Sequence, residues 1–178
     1  MFAVLAGAGV PEDEAKKHYV EVRDNQFSLK LFIRTLFSRF DIKTNQAEIY
    51  ETIMRESAKF RNEEMIRAIQ RIGKENCYIV TNGEREFNTD KLKYSGVWDL
   101  VGEDRIRIVP GEKNHAIKEI CAQNQESEVV FIDDKLKFID EPGLRNIANL
   151  TTIHYKSEDF ERIMKRIDSP LSELKKRK

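Results

Sequence analysis

Val129-Val130-Phe131-Ile132-Asp133-Asp134 is the stretch on which the reading of the chain turns. Its four apolar residues, three of them β-branched, have the length and character of a strand covered on both faces. Two adjacent carboxylates close the run, and they repel each other unless a cation or a base compensates them. Hard oxygen donors of this kind suit Mg²⁺, which takes one or two carboxylates and completes its shell with water and phosphate. The alternative is a solvated N-cap for the next helix, a position where Asp is favoured.

Three more short apolar runs lie on either side: Cys77-Tyr78-Ile79-Val80, Ile106-Arg107-Ile108-Val109 and Leu150-Thr151-Thr152-Ile153. Between them fall a segment over 87–94, a helix over 112–122 with Ala116, Ile117, Ile120 and Cys121 on one side, and a helical turn after Asp134. A last helix turns Phe160, Ile163, Met164 and Ile167 inward, ahead of the basic tail 175–178. Strands alternating with helices in this way predict an α/β fold with a parallel, Rossmann-like sheet.

Ligands of open α/β sheets bind outside the carboxyl ends of the strands. Two further groups of residues fall at such ends. Thr81-Asn82-Gly83 offers a hydroxyl, an amide and a flexible backbone, which suit either an anion cradle or an ordinary Asn-Gly turn. Lys113 begins a helix, where a cation opposes the helix dipole. A bound phosphate or a neighbouring carboxylate would account for it, and a plain surface lysine is the other reading.

Before Gly73 the periodicity is helical. Leu29, Phe32, Ile33, Leu36, Phe37 and Phe40 make one apolar face, so the phenylalanines belong to a helical core. Pro11 and three acids open an earlier helix that buries Ala15, Tyr19 and Val22. Ile49, Tyr50, Ile53 and Met54 mark another, and Asn62 caps one that ends at Gly73. Residues 1–9 read as the last turns of a helix closed by Gly7 or Gly9.

The 178 residues allow one ordinary domain, or a core with a small subdomain. Lys plus Arg and Asp plus Glu are 31 each, so net charge gives no reason to expect a nucleic-acid or membrane binder. The tail 175–178 reads as solvated. Two cysteines, Cys77 and Cys121, fall in apolar segments and predict neither a disulfide framework nor a zinc site. The apolar start lacks a basic flank, so a cytoplasmic location is expected. His18, His115 and His154 are too scattered for a metal cluster.

The order strand-Thr81, then Lys113, then strand-Asp133-Asp134 resembles the core of the haloacid-dehalogenase-like (HAD-like) superfamily of phosphohydrolases, over residues 77–155. Residues 1–73 resemble that family's α-helical cap, leaving 74–178 as the α/β core. The resemblance implies that Thr81, Asn82 and Lys113 hold a phosphoryl group and that Asp133 and Asp134 hold Mg²⁺. The expected partner is a small phosphorylated molecule. The family's first motif, a strand followed by Asp-x-Asp that carries the nucleophile, has no counterpart here, since no Asp-x-Asp occurs in the chain. Two functions follow: a Mg²⁺-dependent phosphatase, truncated and inactive as given, or a non-catalytic module that binds phosphate and Mg²⁺.

In that family the missing strand lies in mid-sheet. If it buries about five apolar side chains at roughly 2 kcal/mol each, its loss removes about 10 kcal/mol, a whole domain's net stability. Two sheet edges would also be left unpaired and open to self-association. The expected behaviour of the 178-residue chain is therefore lowered stability and self-association through those edges. A chain that sediments as a monomer over a wide range of concentrations contradicts it.

Overall fold

Gly9 shows how the first helix stops. In the structure, a computed structural model that describes residues 1–24, 26–156, 160–161 and 163–165, helix α1 runs Phe2–Gly7. Gly9 follows with φ of 101°, donating to the Ala6 carbonyl, while Val10 donates to that of Leu5, each at 3.0 Å. This is a Schellman closure, with Leu5 and Val10 both buried as its apolar contact.

The chain divides into two compact units, Met1–Gly111 and Glu112–Lys178. In the first, α2 (Glu12–Val22), α3 (Leu29–Arg39), α4 (Gln46–Ser57) and α5 (Glu63–Ile72) follow α1. Pro11 is the N-cap of α2 rather than its first helical residue. Ser28, Asn45 and Asn62 cap the next three helices with their side chains. The apolar face read from the sequence is the buried one: Leu29, Phe32, Ile33, Leu36 and Phe37 are each at most 2% exposed. Each contributes about 2 kcal/mol by leaving water. They join Leu5, Ala15, Tyr50, Ile53 and Met54 in one cluster, with Tyr19, Val22 and Phe40 packed against it.

The same unit continues with β1 (Ile79–Asn82), α6 (Arg85–Tyr94), α7 (Val97–Val101) and β2 (Ile106–Val109). Strand β1 pairs in parallel with β2 from Ile79↔Ile106 to Asn82↔Val109. The first strand thus starts two residues later than its apolar run suggested, because its partner begins only at Ile106. Phe27 meets Phe87 of α6 edge-on at 5.4 Å, Lys30 bonds Glu86 at 2.6 Å, and the Tyr50 hydroxyl donates to Asp90 at 2.5 Å.

The second unit holds α8 (Asn114–Gln123), β3 (Val129–Asp133), α9 (Leu136–Ile139) and β4 (Leu150–His154). Ala116, Ile117, Ile120 and Cys121 form the buried side of α8, as their spacing predicts. Strands β3 and β4 are parallel, from Val129↔Leu150 to Asp133↔His154. The Asn149 amide ties the loops together by donating to the carbonyls of Cys121, Asn124 and Ser127 at 3.0–3.2 Å. Residues 160–161 and 163–165 are helical, with Ile163 and Met164 buried. Ile167 and the basic tail lie outside the described residues. Among the described residues the two parallel pairs form separate two-stranded sheets, so every strand has an unpaired edge.

Burial first, and then the Asp90 carboxylate, push the Tyr50 phenol above its ordinary range. A raised folded value means that stability is complete below the unfolded tyrosine pKa of about 10 and falls as pH rises above it. Tyr50→Phe is expected to cost about 2 kcal/mol near neutrality, the worth of a hydrogen bond to a charged acceptor. Urea melts from pH 8 to 11 should show the wild type losing that advantage above pH 10; a gap independent of pH contradicts the assignment.

Candidate functional site

At the carboxyl end of β1, Thr81 and Asn82 are the last two residues of the strand itself, not of the loop after it. The Thr81 hydroxyl donates to Asn88 Oδ1 at 3.3 Å. Asn88 is only 7% exposed and donates to the Glu84 carbonyl at 2.9 Å, so the acceptor is held in place. The Asn82 amide donates to the Gly111 carbonyl. Gly83 has φ of 130°, and a Cβ there would come within 2.7 Å of the Asn88 amide nitrogen, so glycine is required for both reasons. Its own N–H is bonded to the Val109 carbonyl at 2.9 Å and is not a free anion donor. Glu84 then starts α6 by accepting from the N–H groups of Glu86 and Phe87.

The second unit carries the strongest electrostatic feature. Lys113 and Asp133, 20 residues apart and each 8% exposed, meet with Nζ 2.5 Å from Oδ2. The other Asp133 oxygen accepts from the Lys135 N–H at 2.8 Å. The ammonium also lies 4.6 Å from the Phe138 ring centroid and 5.9 Å from that of Phe131. A buried charge needs such partners, because removing one leaves the other uncompensated. Of the readings open for Lys113, the structure gives the neighbouring carboxylate, Asp133, and not a plain surface lysine.

A second carboxylate is present that the sequence did not single out. Glu141, 5% exposed, accepts from the N–H groups of Lys113 at 3.1 Å and Asn114 at 2.8 Å, closing the start of α8. No local pattern around Glu141 announces this, for its partners lie 27 and 28 residues earlier.

Asp134 is exposed, and its carboxylate has no partner among the described residues. Its carbonyl bonds His154 Nε2 at 3.1 Å, and the Tyr155 N–H donates to the Asp133 carbonyl at 2.7 Å. Neither acid is itself the N-cap of α9: that position is Lys135, whose own side chain makes no cap, and Asp133 Oδ1 accepts from its N–H from two residues earlier.

Among the described residues no group of three or more His, Cys, Asp or Glu side chains converges as a metal site. Asp133 and Asp134 nevertheless fit Mg²⁺ in the chemistry of their donors. Asp134 is uncommitted, each Asp133 oxygen keeps a lone pair, and this ion needs only one or two protein carboxylates. Cys77 and Cys121 have thiols pushed upward by burial, the opposite of a metal-binding thiolate. No helix of the described residues is long and apolar enough to cross a membrane.

No family model matches the chain, and neither does any curated protein. The chain is similar to a crystal structure from Burkholderia xenovorans LB400 that bears the name haloacid dehalogenase-like hydrolase. The TM-score is 0.61 at 19% identity, covering 89% of this chain and 73% of that one. The two parallel strand pairs with polar carboxyl ends, the helical region before them and this match together show that the chain has the haloacid dehalogenase-like α/β fold.

Proposed function

We propose that this chain is the phosphate-handling part of a Mg²⁺-dependent phosphatase acting on a small phosphorylated substrate. Residues 1–73 serve as its cap and 74–178 as its core. The observation that carries this reading is the buried Lys113–Asp133 pair at the end of a parallel strand, with the exposed Asp134 carboxylate next to it. An ammonium with two N–H groups beyond the one given to Asp133 is a donor for phosphoryl oxygens. Asp133 and Asp134 are the carboxylates for the metal. When bound, Mg²⁺ neutralises phosphoryl oxygens and orients the group.

No Asp-x-Asp is present in the 178 residues, so the chain alone lacks the family's nucleophile. That absence favours a second reading, a binding module that holds phosphate and Mg²⁺ without chemistry. In a generic phosphate-ester assay with Mg²⁺ the chain is expected to give no turnover; robust turnover lost in Asp134→Ala overturns this. Thermal melts test the binding common to both readings. Inorganic phosphate at about 100 times its Kd should add about 2.7 kcal/mol of stability to the wild type. The gain should vanish in Lys113→Ala, and equal gains in both proteins would remove Lys113 from the phosphate site.

A further inference from the structure

The N-cap of α8 is occupied by the wrong kind of residue. Helix N-caps favour Ser, Thr, Asp and Asn, whose side chains accept from the first backbone N–H groups. Here the N-cap is Lys113, which has no acceptor, makes no side-chain cap, and brings a positive charge to the positive end of the dipole. The capping is done by Glu141, whose two carboxylate oxygens accept from the N–H groups of Lys113 and Asn114. This arrangement separates two jobs that one residue normally does, and it frees position 113 to carry an ammonium.

We propose that Glu141 is a positioning residue for Lys113, fixing the backbone from which the phosphate-binding ammonium projects. The inference rests on the reading of Lys113 given under Proposed function. Glu141 holds the side chain at its root, Asp133 holds it at its tip, and the rings of Phe138 and Phe131 flank the ammonium. A lysine loses much rotamer freedom when ordered, and here the ordering is done before any ligand arrives. Both Glu141 oxygens are engaged by backbone donors, so its effect on an anion passes through Lys113.

The test uses the full chain and two variants. Glu141→Gln keeps shape and one acceptor but turns an NH₂ toward a backbone N–H. Ile120→Val loosens the same helix by one buried methyl and serves as the control for stability alone. Two readouts are taken: proton exchange of the Lys113 ammonium by ¹⁵N NMR, assigned with Lys113→Arg, and the Kd for inorganic phosphate with Mg²⁺ present. In Glu141→Gln the ammonium should exchange faster and phosphate should bind about tenfold more weakly, the effect of one lost charge-assisted hydrogen bond. Ile120→Val should stay close to the wild type in both.

If Glu141→Gln speeds amide exchange at Lys113 and Asn114 yet leaves the ammonium as in the wild type, Glu141 is a helix cap only and the proposal is overturned. An ammonium that already exchanges freely in the wild type overturns it equally. If the wild type binds no phosphate but Glu141→Gln still releases the ammonium, the positioning role stands and the phosphate reading falls.

Discussion

Two parallel strands cannot be joined by a tight turn. Each pair needs a crossover long enough to carry the chain back to the starting end, and this constraint organises both halves of the molecule. In the first unit the crossover is α6 and α7, and in the second it is α9 with the loop that leads to β4. Because the strands of a pair run the same way, their carboxyl ends lie side by side. Asn82 is therefore level with Val109, and Asp133 with His154. The polar residues collect at one end of each pair as a consequence of strand direction.

The helical part of the first unit answers to a different requirement, that of burying one face per helix. Helix α3 is the centre of that arrangement, since its apolar stripe is covered almost completely. Aromatic contacts extend the packing: Phe27 touches Tyr19, Phe32 and Phe87, so a single ring links three helices. The Tyr50–Asp90 bond crosses between α4 and α6 in the same unit. Such a bond is expensive to leave unmade once the phenol is buried, and it fixes which turn of one helix faces which turn of the other.

In the second unit polar groups, rather than apolar ones, set the fine geometry. Lys113, Asp133 and Glu141 are three charges with little solvent, and each has its partners: a carboxylate and two rings for the lysine, an ammonium and an N–H for the aspartate, two N–H groups for the glutamate. A cluster of this kind contributes little net stability against an apolar replacement, and its cost is tolerated where specificity or chemistry requires it. That cost is in keeping with the proposed phosphate and metal site at this end of β3.

The local elements were legible in the sequence. The 3.6-residue period of Leu29 to Phe40, the caps Asn62 and Gly73, the β-branched runs and the acidic pair each follow from chemistry acting over a few residues. Tertiary structure decided what depends on partners far along the chain. Strand β1 took its start from Ile106, so Thr81 and Asn82 became strand residues. Asp133 turned from cap candidate to ion-pair partner because Lys113 arrives from 20 residues earlier. Glu141 gained its place only when the backbone of α8 came within reach of its carboxylate. Periodicity encodes which face of an element is apolar, but hydrogen bonds and ion pairs act over about 3 Å, and only the folded chain sets distances that small.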